Sequence, residues 1–86
     1  MHTVELIEHA LRVAQALGMR VRQEWLDGRE GGLCEFKNQK WLFVDLALSP
    51  TERLDQVLSA LRHQPGLNRQ DMPRELSMLL DVRKSA

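Results

Sequence analysis

Near the start of the chain Val4, Ile7, Leu11, Ala14 and Leu17 recur at helical spacing, with Glu8, Arg12 and Gln15 on the opposite face. Thr3 is placed to cap the first turn, Glu5 and Glu8 suit the positive end of the helix dipole, and Gly18 offers a left-handed stop. Residues 3–17 therefore predict an amphipathic helix. The period then changes to two. In MRVRQEW, Met19, Val21 and Trp25 alternate with Arg20, Arg22 and Glu24, as in a half-buried strand. DGREGG reads as a turn. LCEF and WLFVDL read as strands joined by a turn near Lys37–Lys40, where Asn38 tolerates positive φ.

In the last of these strands both faces are apolar: Leu42 and Val44 point one way, Trp41 and Phe43 the other. A strand of this kind is central, or its second face is covered by a partner. The face shared by Cys34 depends on register. An even-length turn groups Cys34 and Phe36 with Trp41 and Phe43, an odd one with Leu42 and Val44.

SPTE predicts a sharp helix start, with Ser49 as N-cap, Pro50 in the first turn and Glu52 completing a capping box. Leu54, Val57, Leu58 and Leu61 form that helix's buried stripe, and QPG ends it at Gln64–Gly66. Pro73 opens a last short helix with Leu76, Leu79 and Leu80 inward. The order α-β-β-β-α-α predicts one α+β domain over residues 1–86. In it a small, mainly antiparallel three-stranded sheet is packed by an N-terminal and two C-terminal helices.

At 86 residues the chain buries only ~60–65% of its unfolded surface, so the core must hold the fold without a disulfide. A single cysteine, the absence of a basic and apolar leader in MHTVELIEHALRV, and no run of ~18 apolar residues predict a cytoplasmic protein that does not enter a membrane. Lysine plus arginine number 12 and aspartate plus glutamate 12, balanced in both halves of the chain. The densest basic pair is Arg83–Lys84. Nucleic-acid binding draws most of its affinity from a basic face, so no nucleic-acid partner is expected.

Candidate chemistry centres on Cys34. A catalytic thiol needs a base and a setting that lowers its pKa. His2, His9 and His63 stand at no informative spacing from it, and Asp45 could orient a histidine as any carboxylate could. Leu33 and Phe36 flank Cys34 with apolar groups, Glu30 and Glu35 disfavour a thiolate, and Lys37 alternates to the other side. Cys34 is therefore expected to be structural and largely buried. One cysteine and three scattered histidines form neither CxxC nor HxxxH, so no metal or other cofactor is expected. Gly31 and Gly32 run into a strand rather than a helix, which favours a turn over a phosphate cradle. Trp41 and Phe43 could stack on bases, but without basic neighbours on that face core packing or a protein contact is the better expectation.

GGLCEF…WLFVDLALSPTERLDQVLSAL, ending in MPRELSMLL, resembles a group of short bacterial proteins of undefined activity. They share a GG-x-C strand, an LFVD-like strand, an LS-x-x-E helix start and a P-x-RELL-like end. The likeness spans about residues 17–81 and implies no activity. FVDLALSPTERLDQVLSALRH is also distantly similar to the strand-to-helix passage of minimal zinc metallopeptidases, where HExxH follows. Ser59 and Ala60 stand where the first ligand and the general base would be, and only His63 matches, so that likeness implies a degenerate domain without catalysis.

The residues favour a non-enzymatic interaction or accessory module of the bacterial cytoplasm. Trp41 and Phe43 would be its contact surface, and its partner another protein or a second copy. The alternative is a thiol-dependent enzyme or redox sensor using Cys34 with His63 or His9 as base.

Overall fold

The computed structural model describes residues 2–81. The Arg83–Lys84 pair lies outside them. Helix α1 spans Thr3–Ala16, and strands β1, β2 and β3 span Arg20–Glu24, Gly32–Phe36 and Gln39–Asp45. Helix α2 spans Pro50–Leu61, a 3-10 turn covers Arg69–Asp71, and helix α3 spans Arg74–Asp81. This is the α+β order that the sequence patterning predicts.

The sheet is mixed rather than mainly antiparallel. β3 is central, paired antiparallel to β2 and parallel to β1. β2 and β3 form a hairpin whose two loop residues, Lys37 and Asn38, both take positive φ (52° and 65°). That is the twist which suits a two-residue connection. The hairpin leaves one edge of each strand open, and β1 joins that of β3, in parallel, rather than that of β2.

The helices cover one face of this sheet. α1 packs on α2 and β1, α2 lies over β3 and β2, and α3 closes against α1 and α2. The core between the layers gathers Leu42 and Val44 of β3 with Leu6, Ile7, Ala10, Leu11 and Ala14 of α1. Leu54, Val57, Leu58, Ala60 and Leu61 of α2, Met72, and Leu76 and Leu80 of α3 complete it. Leu6 and Ala10 widen the stripe of α1 beyond the positions read from spacing, and Val4 is rotated out of it, half exposed. Thr3 does not cap α1. It is the helix's first residue, and His2 stands at the N-cap without a side-chain hydrogen bond. Trp25 also departs from expectation. It lies beyond the end of β1, where strand alternation no longer applies, and is 68% exposed; Leu26 takes the buried position instead.

The start of α2 matches its motif. Ser49 Oγ accepts the Glu52 N–H at 3.3 Å, and Glu52 Oε1 accepts the Ser49 N–H at 3.0 Å. Ser49→Ala is expected to lower stability by about 1 kcal/mol, checked by urea or thermal unfolding. The bonds from the Ser49 backbone and hydroxyl also hold the Glu52 carboxyl below its ordinary value of 4.5. A carboxylate with a lowered folded pKa contributes stability above the unfolded value and loses it as pH falls through the folded one. Glu52→Gln should therefore flatten the acid-side decline below about pH 4.5, measured as melting temperature against pH beside the parent.

Candidate functional site

The face of the sheet turned away from the helices is built by register. Pairing of Arg20 with Trp41 and of Cys34 with Trp41 makes one cross-strand row, Arg20–Trp41–Cys34. The next row is Arg22–Phe43–Gly32, and at the hairpin end Phe36 faces Gln39. Period-two alternation sends all of these side chains to the same side, opposite Leu42 and Val44. No helix lies over them among the described residues.

Two-residue turn geometry thus resolves the register as the even case, and it overturns the expectation for Cys34. The thiol is exposed. It belongs to an edge strand and points away from the helical layer, so its apolar sequence neighbours give it no cover. Phe36, beside it, is 63% exposed. Alkylation of native Cys34 at neutral pH should run within a few-fold of a denatured control, and Cys34→Ala should change stability by no more than about 0.5 kcal/mol. Native labelling slowed by orders of magnitude would contradict the exposed position.

Trp41 and Phe43 are half-buried, their rings stacked with centroids 6.1 Å apart and planes at 15°. The expectation that this face lacks basic neighbours is also corrected. The Arg20 guanidinium lies over the Trp41 ring, 5.6 Å from its centroid. The Lys37 ammonium lies 5.3 Å from the centroid of Phe36, because the tight turn swings its side chain back across the ring rather than to the other side. Both distances fall within cation–π range. Arg22 Nη2 reaches Glu24 Oε1 at 2.8 Å. Between these groups is a shallow depression of about 460 Å³ lined by Arg22, Cys34, Phe36, Trp41 and Phe43. Gly32, which faces Phe43, leaves it open on the β2 side.

The histidines stand elsewhere. His63 lines a separate groove of about 390 Å³ between α2 and the start of β2, with Gly31, Leu33, Ser59 and Ala60. Leu33 alternates to the face opposite Cys34, so Cys34 and His63 open onto different surfaces. His9 lies on α1 with its Nδ1 3.2 Å from Arg12 Nη2. Asp45 orients no histidine. Its carboxylate accepts the N–H groups of Ala47 (2.9 Å) and Leu26 (3.4 Å), and its own N–H donates to Gln56 Oε1 at 3.1 Å. Among the described residues no three His, Cys, Asp or Glu side chains converge as a metal site would need, and no helix is long and apolar enough to cross a membrane.

Arg20, Arg22 and Lys37 are the members of the face that the sequence patterning does not place there, whereas Phe36 joins Trp41 and Phe43 as the even register requires. The alternation of β1 had already separated its arginines from Met19 and Val21. The missing step was that β1 would pair with β3 and bring those arginines beside the aromatics. No family model matches the chain, and no curated protein or solved structure does.

Proposed function

We propose that the protein is a non-enzymatic interaction module of the bacterial cytoplasm whose contact surface is the open face of its sheet, centred on Trp41 and Phe43. One observation carries this reading: the central strand is apolar on both faces, and among the described residues only one of them is covered by helices. The composition of the face supports the same reading, since Trp, Phe and Arg are enriched at the energetic centres of protein contacts. The thiol-enzyme alternative draws nothing from the placement of His63 and His9, which line other surfaces than Cys34.

The test is site-specific photo-crosslinking in the host cell. A photoreactive side chain at Phe36 should give a discrete adduct that disappears when Trp41 and Phe43 are both changed to serine. The same group at Val4, on the helical side, should not give that adduct. Equal crosslinking from both sites, or adducts indifferent to the double substitution, would refute the assignment.

A further inference from the structure

We infer that the partner seated on this face is an amphipathic α-helix with acidic flanks, supplied by another protein. The inference rests on the reading of the open face as a docking surface and adds the chemistry of its occupant. Three observations select it.

The first is width. Three strands about 4.8 Å apart present a band roughly 10 Å across between outer strand axes, which matches the ~10–12 Å diameter of one helix. One added helix would place the sheet between two helical layers and cover the second face of β3.

The second is charge. Arg20, Arg22 and Lys37 stand around Cys34, Phe36, Trp41 and Phe43. The two carboxylates of that side, in the row Glu24–Asp45, are engaged within the chain, Glu24 by Arg22 and Asp45 by the N–H groups of Leu26 and Ala47. The face is thus apolar at its centre, with Arg20 and Lys37 beside the rings as cations that no carboxylate neutralises among the described residues. A second copy laid face to face would bring like charges together, whereas a helix with leucine-type residues along one stripe and Asp or Glu beside it meets both features.

The third concerns the rings. Arg20 already lies over Trp41 and Lys37 over Phe36, and Trp41 and Phe43 stack on each other. Each ring therefore already has one of the chain's own side chains against it, which reduces the stacking surface left for a nucleobase. The chain as a whole has a formal net charge of 0 and little long-range attraction for phosphate. These facts favour a protein helix over a nucleic-acid strand.

The experiment is an NMR titration of the ¹⁵N-labelled protein with three probes. One is a capped peptide of about 18 residues with leucines on one helical face and glutamates beside them. The second is the same peptide with lysines for the glutamates, and the third a short single-stranded oligouridylate. The glutamate peptide is expected to shift resonances of Arg20, Arg22, Cys34, Phe36, Trp41 and Phe43, with weaker binding at raised salt. Arg20→Glu together with Arg22→Glu should weaken it roughly tenfold and transfer the preference to the lysine peptide. Retention of the parent amide spectrum outside the face shows that this variant is folded.

Equal or better binding of the lysine peptide to the parent, shifts mapping to the helical side, preferential binding of the oligonucleotide, or no binding of the glutamate peptide would each overturn the inference. The two readings fail separately. A crosslinked partner that depends on Trp41 and Phe43 but engages as a strand or through a basic segment leaves the docking face standing and removes the acidic helix.

Discussion

Leu42→Ala is expected to lower the unfolding free energy by about 2–5 kcal/mol, a large fraction of what an 86-residue domain holds. Leu42 is fully buried in the middle of the central strand. Its side chain enters the layer where α1 and α2 meet the sheet, so truncation leaves a cavity that elements on both sides would have to move to fill. At stabilities of roughly 0.05–0.15 kcal/mol per residue, the variant should melt at least ~10 °C lower and show a shortened or absent folded baseline in urea. The informative control is Phe36→Ala. It removes a larger side chain from the open face and should cost within about 0.5 kcal/mol. If Phe36→Ala proved as damaging as Leu42→Ala, the division of the sheet into a packed face and an open face would be wrong.

Gly31→Ala is the second large effect, and its cause is space. A Cβ at Gly31 would land against Gln56 Nε2, 2.9 Å from Leu26 Cδ1 and 3.0 Å from the Phe43 carbonyl oxygen. Gln56 is not free to swing away without consequence, because its Oε1 accepts the Asp45 N–H and so ties α2 to the end of β3. Leu26 is buried, and the Phe43 carbonyl belongs to the central strand. The expected cost is about 1–3 kcal/mol, read by chemical denaturation. Adding Gln56→Ala should not restore stability, since it relieves one contact while removing the acceptor of the Asp45 N–H. Stability within about 0.5 kcal/mol of the parent would show that the chain has more room at this point than the geometry gives.

What sequence made legible follows the range of the interaction concerned. The capping box of Ser49 and Glu52, the left-handed residue at Asn38 and the stripe Leu54–Val57–Leu58–Leu61 depend on neighbours within a turn or two, and all stand as expected. The two-sided character of β3 was legible for the same reason. Illegible were the features set by pairing between distant segments. The hairpin leaves one edge of β2 and one of β3 open, and no local pattern encodes that β1 joins β3 in parallel. Two misjudgements follow from that single gap. Trp41 and Phe43 looked remote from any cation because Arg20 and Arg22 were not known to be their neighbours. Cys34 reads as buried only if the apolar residues beside it in sequence count as cover, whereas the side of this edge strand that carries it is turned from the helical layer and has none.

The central position of β3 also constrains the order of assembly. β1 and β2 both precede it along the chain, yet β1 and β2 do not pair with each other, and each finds its strand partner only in β3. During synthesis neither has a sheet to join until Gln39–Asp45 exists. The hairpin through Lys37–Asn38 closes a loop of two residues and can form on a microsecond scale. Docking of β1 must close a loop some twenty residues long around that hairpin, at greater entropic cost. The nucleus of folding is accordingly placed in the hairpin and the helix that follows it, with β1 and its arginines arriving late. Phe36, Lys37, Trp41 and Phe43 thus come together within the hairpin itself, and the surface is complete only once β1 adds Arg20 and Arg22.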